Sequence, residues 1–315
     1  MIFQDDDIQV SVCIVTYNQE KYIAECLESI VTQQTNFKFE IIVGEDCSTD
    51  NTRTIVQEYV ERYPELIIPL FYENNVGVVE NVKQVYKKAR GKYIAHLDGD
   101  DYALDNKLQT QFDALENNLD CTVCTHNMEI ADLNNSIFKY SFSKPRKSIN
   151  SLIDLYDTLP FFAHSSKMFV NDICDKYWDN FNEKTTDIEI HVEQAKKGNI
   201  FHLNEVFGGY RQLVGVSLKD GKVNTLLPDA TKRIFDKALL DSDDQIIKKS
   251  YAKALFNYAY QSAVMGDKEG LVEYINKSVS VDIFSKKQFI FYKMSSIPST
   301  VIKVCRLRAY LITLQ

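Results

Sequence analysis

Tyr93-Ile94-Ala95-His96-Leu97-Asp98-Gly99-Asp100-Asp101-Tyr102 is a short apolar run that stops abruptly in three carboxylates around one glycine. Entered from Gly91 and closed by acids, it reads as a buried strand. The acids then stand at the C-terminal end of that strand, where open α/β sheets bind ligands. Three carboxylates this close repel one another, so a cation belongs among them. A hard divalent ion such as Mg²⁺ or Mn²⁺ takes oxygen ligands and often carries a substrate's phosphates. Taken alone, the turn fits a solvated acidic loop equally well. What precedes it shifts the balance toward metal.

Upstream, Val10–Thr16 (VSVCIVT) is a continuous apolar, β-branched run, again a buried strand. Tyr22, Ile23, Cys26, Leu27 and Ile30 follow at helical spacing. Phe39–Val43 is a second buried strand, ending in Gly44-Glu45-Asp46-Cys47-Ser48-Thr49-Asp50. Ser48 and Asp50 suit the cap of a helix that runs to about Tyr63, where Pro64 stops it. Leu66–Tyr72 is a third strand, and Pro69 places it near a sheet edge. Asn74-Asn75-Val76-Gly77 turns into a third helix carrying Val78, Val82, Val85, Tyr86 and Ala89. The order β-α-β-α-β-α-β predicts a mostly parallel sheet with helices on both faces. Its polar strand tips, Thr16-Tyr17-Asn18, Glu45-Asp46, Asn74-Asn75 and Asp98–Asp101, then line one crevice. No GxGxxG follows the first strand and no GxxxxGK[ST] occurs, which disfavours a Rossmann dinucleotide site and a P-loop.

Downstream, a helix with Leu108, Phe112 and Leu115 precedes a strand at Cys121–Met128. Cys121-x-x-Cys124 with His126 resembles a metal or redox motif, but it lacks a second CxxC and reads better as core strand. Asn134–Asn150 is a polar loop. Phe161–Phe169 returns to a strand, a helix spans about Asp187 to Lys197, and Ile200–Leu203 and Val206–Tyr210 are short strands. From Leu226 the pattern is helical, with a hairpin turning at Gly266-Asp267. The boundary is placed near Asn224, giving a domain of residues 1–224 and a helical region of 225–315.

The 315 residues are 45% hydrophobic and 12% aromatic, ample for a core and unlike a disordered chain. A net charge of −8 argues against a nucleic-acid binder. Charge is uneven: Ile283–Gln315 has no acid but carries Lys286, Lys287, Lys293, Lys303, Arg306 and Arg308, so this tail is +6 and the remainder −14. Seven cysteines without a secretory leader suggest reduced thiols and a cytoplasmic setting, and no run reaches membrane-spanning length.

The collected motifs resemble the family-two glycosyltransferases of the GT-A fold. The resemblance covers roughly Val10 to Ser217. It rests on VSVCIVTYN (10–18), IIVGEDCSTDNT (41–52), Asn74–Gly77, GKYIAHLDGDD (91–101), Lys107-Leu108-Gln109, and Tyr210-Arg211 before Gly215-Val216-Ser217. The form of the Gly44–Asp50 segment is similar to a bacterial branch that builds capsule, O-antigen and lipooligosaccharide chains.

The resemblance implies roles. Tyr17 would stack on the nucleotide base, with Thr16 nearby. Asp46 would accept a hydrogen bond from uracil, and Asn75 would lie near the nucleotide. Asp98-Gly99-Asp100 occupies the DXD position: Asp100 is the best ligand for Mn²⁺ or Mg²⁺, while Asp98 or Asp101 would meet the ribose or the metal's water shell. Asp187 is the expected catalytic base of an inverting transfer, with helix capping alone as its rival role and Glu189 as the competing base. His164 falls on the acceptor-side strand, equally as a polar site residue or a core histidine. Arg211 could meet the diphosphate. Many relatives carry a histidine where this chain has Leu213, so the metal site would be weaker or water-completed, and His191 and His202 lie off that motif.

The implied activity is metal-dependent transfer of a sugar from a nucleotide-sugar donor, with UDP expected, to a hydroxyl of a growing bacterial surface glycan. The acceptor would be lipid-linked or an oligosaccharide. Phe289-Ile290-Phe291-Tyr292, Val301-Ile302, Val304 and Leu311-Ile312 alternate with the basic residues, which predicts peripheral contact with the inner face of the cytoplasmic membrane. The rival is an ordinary helix docked on the protein. A homo-oligomer is left open. Two other readings compete: a glycan-assembly scaffold without catalysis, and a sugar-phosphate nucleotidyltransferase. The latter expects a glycine-rich loop where this chain has Tyr17-Asn18-Gln19-Glu20.

Overall fold

A computed structural model describes residues 8–131, 137–211, 218–219, 222–223, 225–242 and 244–313. The chain divides into two compact units: Met1–Leu152 with Phe161–Val214, and Ile153–Pro160 with Gly215–Gln315. Asn224 and Leu213 lie outside the described residues.

The first unit opens with β1 (Val10–Thr16), α1 (Ile23–Val31), β2 (Phe39–Glu45), α2 (Thr52–Arg62), β3 (Ile67–Phe71), α3 (Val78–Lys88) and β4 (Tyr93–Asp98), the alternation the sequence predicts. The apolar runs bury completely because the strands are covered on both faces: Ile14, Ile41 and Leu97 are fully buried. Each such side chain contributes about 2 kcal/mol. In α1, Ile23, Cys26, Leu27 and Ile30 form the inward stripe. The N-cap of α2 is Asn51 rather than Ser48 or Asp50, and Asp50, one residue earlier, accepts from the Thr52 N–H at 3.0 Å.

The large sheet runs β3-β2-β1-β4, with β3 and its Pro69 at the edge as expected, and these four strands are parallel. Register brings their tips level: Thr16 lies opposite Glu45, and Val15 opposite Asp98. Beyond Asp98 follow β5 (Tyr102–Ala103), α4 (Lys107–Asn117), β6 (Cys121–Ala131), β7 (Ile137–Ser141), β8 (Ile149–Asn150) and α5 (Leu152–Asp157). Next come β9 (Met168–Val170), α6 (Asp187–Ala195) and β10 (Asn199–Arg211). The sheet continues β4-β9-β6-β10-β5, with β9 antiparallel to both neighbours and β6 parallel to β10. The result is a mixed sheet with a parallel core, flanked by helices.

Several expectations change, and Asn134–Asn150, expected as a loop, carries β7 and β8. Phe161–Phe169 is not one strand: His164–Ser166 forms a 3-10 turn, and only Met168–Val170 pairs. The serines explain it, because Ser166 Oγ donates to the Ala163 carbonyl and Ser165 Oγ bonds Asp98, so hydroxyls take the bonds a ladder would use. The two short strands expected at Ile200–Leu203 and Val206–Tyr210 are a single strand, β10, and one of its register shifts against β6 falls between Leu203 and Val206, where the break was expected. The CxxC pair sits in β6; residues three apart on a strand face opposite sides, so Cys121 and Cys124 do not converge. Both are free thiols in the core.

In the second unit, β11 (Leu218–Lys219) and β12 (Lys222–Val223) form a small hairpin. The helices are α7 (Leu226–Asp241), α8 (Gln245–Met265), α9 (Lys268–Val281), α10 (Lys286–Met294) and α11 (Pro298–Thr313). The expected turn at Gly266-Asp267 is present: Gly266 takes φ +89° and Asp267 Oδ1 accepts from the Gly270 N–H. Val301, Ile302 and Cys305 of α11 are buried, and α11 packs on α8 and α9. Arg306 donates to the carbonyls of Val264 and Met265, at the C-terminal end of α8. No helix among the described residues is long and apolar enough to cross a membrane.

Candidate active site

The four parallel strand tips carry the candidate residues, and side-chain bonds lock the tips together. Thr16 is buried, and its carbonyl accepts from the Asp46 N–H. Its hydroxyl donates to Gln19 Oε1 at 2.8 Å. Tyr17, next along, is 44% exposed and presents an open ring at the mouth of the crevice. Asn18 takes a positive φ of 53° and accepts from the Thr49 N–H, joining the β1 tip to the β2 tip.

Asp46 is buried, and its carboxylate accepts the backbone N–H groups of Val76 (2.6 Å) and Gly77 (3.0 Å). Asn75 Nδ2 returns a bond to the Asp46 carbonyl at 3.0 Å. The two residues expected near a nucleotide therefore first build one another's loop. Burial pushes the Asp46 carboxyl up, against the pull of those two N–H groups. Beside Gly77 opens a cavity of about 280 Å³, lined in part by Lys83, Trp178, Phe181 and Asn182.

At the end of β4, Asp98 is held from three sides. Ser165 Oγ accepts from its backbone N–H (3.0 Å) and donates to its Oδ2 (3.1 Å), and His96 Nε2 lies 3.1 Å from its Oδ1. Tyr86 Oη lies 3.0 Å from His96 Nδ1, so a Tyr86-His96-Asp98 chain orients the carboxylate. Burial would raise the Asp98 carboxyl, but the bonds from His96 and Ser165 and the charge of Lys167 leave it below the usual range. Gly99 permits the next turn, because a Cβ there would lie 2.5 Å from Gln19 Oε1 and 2.8 Å from Thr16.

Asp100 is pushed up to about 6, by burial first and by the charge of Asp98 second. Asp101 is raised well above its ordinary value by burial and by both neighbouring acids. Its Oδ1 accepts from the Arg211 N–H, while Oδ2 is buried and finds no hydrogen-bond partner among the described residues. The charge of Arg211 offsets only part of the repulsion among these carboxylates. Their oxygens are the donor set of a hard divalent ion, and the orphaned Oδ2 and the raised Asp100 both fit one.

Arg211, expected at a diphosphate, is buried beneath this turn. Its guanidinium donates to Glu25 Oε2 at 2.5 Å and to the Asp100 carbonyl. β5 pairs with Gly208 and Gly209 of β10, which delivers Arg211 there. Gly209 is required, since a Cβ would fall 2.0 Å from the Tyr102 ring.

Asp187 is the first residue of α6. Burial raises its carboxyl, with Asp98 adding to the rise and Lys167 opposing it, so it stands close enough to the acidic turn to feel both charges. Glu189 Oε2 accepts from the Thr186 N–H at 2.9 Å, the capping box of α6. Thr186 and Glu189 make that capping box, while the Asp187 carboxylate accepts the backbone N–H groups at the start of the helix. His191, one turn on, has Nε2 2.9 Å from His164 Nδ1. His202 lies elsewhere, bonded through Nδ1 to Thr125 Oγ1.

Sequence reading did not single out Ser165, Gln19, Lys167 or a role for His96. Lys167 is fully buried, held down to about 7 by burial, and donates to Gln194 Oε1. A lysine inside an apolar segment and a histidine inside a strand were the available signals.

Comparison with known proteins follows the same outline. A family model described as Glycosyl transferase family 2 matches residues 11–178. A Bacillus subtilis protein named as a teichuronic acid biosynthesis glycosyltransferase, TuaG, is 36% identical over 104 residues, 33% of this chain and 40% of its own. The chondroitin synthase of Escherichia coli is 27% identical over 204 residues, 62% of this chain and 28% of its own. The chain spans between 28% and 53% of the lengths of the curated relatives it matches. Among solved structures, Staphylococcus aureus TarS 1–349 in complex with UDP-GlcNAc shares the fold, with a TM-score of 0.64 at 18% identity, covering 96% of this chain and 92% of that one.

Proposed function

The chain belongs to glycosyl transferase family 2, and from that membership we propose that it moves a sugar from a UDP-sugar donor to a hydroxyl of a growing bacterial surface glycan, with inversion at the anomeric carbon. The observation that carries the reading is the acidic turn at the β4 tip. There Asp100 is pushed up to about 6, Oδ2 of Asp101 is buried without a hydrogen-bond partner among the described residues, and the charge of Asp98 helps to raise a buried Asp187. Relatives named for teichuronic acid and chondroitin, and a fold neighbour bound to UDP-GlcNAc, support the donor and acceptor classes.

Asp100, with Asp98 and Asp101, would hold Mn²⁺ or Mg²⁺, which supplies Lewis-acid stabilisation of the departing diphosphate. The exposed Tyr17 ring gives the base a stacking surface, next to Thr16. Asp46 and Asn75 shape the loop against the nucleoside, and the remaining lone pairs of Asp46 accept from the uracil N–H. Arg211 anchors the acidic turn from below and adds fixed positive charge. Asp187 takes the proton of the acceptor hydroxyl as that oxygen bonds to the anomeric carbon and the bond to the diphosphate breaks. Its raised affinity for protons suits a base.

In the second unit, Phe289 and Ile290 of α10 and Val304 and Leu307 of α11 are exposed among basic residues. This face would rest on an anionic membrane, on the inner side of the cytoplasmic membrane where lipid-linked acceptors are built. Each Lys or Arg near such a surface contributes about 1 kcal/mol.

The test is calorimetric binding of UDP, GDP and CMP, each with Mn²⁺ and with chelator, on the intact chain and on Asp100→Ala. UDP that binds only with Mn²⁺, and not to Asp100→Ala, together with slow metal-dependent donor hydrolysis, supports the reading. Binding of no nucleotide under any condition overturns it in favour of a non-catalytic scaffold.

A further inference from the structure

We propose that His164, Asp187 and His191 form a second cation site, which adjoins the acidic turn through His164 and takes a transition ion of the Zn²⁺ class. Asp187 and His191 are four residues apart on α6, which stacks them on one face of the helix. His164 comes from the 3-10 turn that replaces the expected strand and faces that helix. One nitrogen from each ring and one Asp187 oxygen all lie within 4.8 Å of one another.

The rings are held before any ion arrives. Phe162 packs on His191 with centroids 4.5 Å apart, and His96 packs on His164 at 3.9 Å. His191 is buried, and its Nδ1 has no hydrogen-bond partner among the described residues. A histidine pair joined only by its own hydrogen bond would need no carboxylate beside it. Here one converges on both rings, and the neighbouring Lys167 amine donates to Gln194 rather than filling the gap. Two imidazoles and a carboxylate are the donor set of zinc sites, whereas Mg²⁺ and Mn²⁺ favour oxygen donors such as the acidic turn. The fold thus sorts two kinds of ion into adjoining sites. The consequence rests on the reading of Asp187 as the base: a carboxylate bound to Zn²⁺ cannot take the acceptor's proton, so Zn²⁺ here would hold transfer off while donor binding persists.

The test is Zn²⁺ titration of the full chain by calorimetry, with Co²⁺ absorption reporting nitrogen ligation. Stoichiometric Zn²⁺ is expected, retained in Asp100→Ala and weakened about tenfold or more in His164→Ala, His191→Gln and Asp187→Asn. The proposal is overturned if wild type binds no stoichiometric Zn²⁺, if Asp100→Ala abolishes binding, or if folded His164→Ala binds as wild type does. Should His191→Gln fail to fold, His164→Ala and the Co²⁺ spectrum of wild type decide alone. Zn²⁺ that meets the binding criteria yet leaves Mn²⁺-dependent donor turnover unchanged upholds the site and removes Asp187 from catalysis.

Discussion

The backbone N–H of Arg211 donates to Oδ1 of Asp101 at 3.0 Å, tying the end of the longest strand to an acidic turn 110 residues earlier. The same arginine closes on Glu25 with its side chain. It is therefore the internal counter-ion of the site as well as part of its frame. Arg211→Ala leaves the Asp100 carbonyl and a half-exposed Glu25 without their cation. A loss of about 3 kcal/mol is expected, the low end for breaking a buried pair, because Glu25 can turn to water. Urea unfolding measures it. Arg211→Lys recovers only part, since one ammonium cannot reach both partners.

Asp100 sets the pH response of metal binding. Its carboxyl is pushed up to about 6 and must lose its proton to ligate. Mn²⁺ affinity is expected to be flat above pH 7 and to fall about tenfold per pH unit well below 6. For the metal-free protein the sign reverses. A carboxyl raised on folding stabilises most below its unfolded value, and that stability is lost as pH climbs through 6. Asp100→Ala should therefore melt no lower than wild type at pH 7.5 without metal, yet gain nothing from Mn²⁺. Thermal melts across pH with and without Mn²⁺ check both signs.

The two acids that open α6 should separate cleanly. Asp187→Asn is expected to lower turnover by about 10²–10⁴ while UDP binding stays near wild type, as for loss of a general base. Glu189→Gln should keep turnover and most of its stability, because a glutamine oxygen still accepts the Thr186 N–H bond of the capping box. Steady-state kinetics beside thermal melts distinguish them. A Glu189→Gln enzyme as dead as Asp187→Asn would reassign the base.

The basic helices can be tested without removing them. Deleting residues 283–315 would uncover α8 and α9 along with the surface in question, since α11 buries Val301 and Ile302 there. Ile290→Asp with Leu307→Asp changes exposed positions alone. Pelleting with anionic liposomes should drop sharply, more at high salt, with donor hydrolysis intact. Unchanged pelleting would leave this face without a membrane role.

By itself the sequence determined the alternating strands and helices, the edge place of the Pro69 strand and the acidic turn. Each is a local pattern: buried runs, a proline without an N–H, acids at a strand end. The family resemblance rested on the same short motifs. Tertiary structure decided what those residues face. That Asp46 holds the Val76–Gly77 loop, that Ser165 and His96 fix Asp98, and that Arg211 lies under the turn depend on contacts between segments far apart in the chain. The break at His164–Ser166 had the same origin: apolar neighbours predicted a strand, and hydroxyls that reach Asp98 and Ala163 won. Periodicity reports which face a residue turns inward, but not which partner waits there, and in this site burial and those partners together shift the acids.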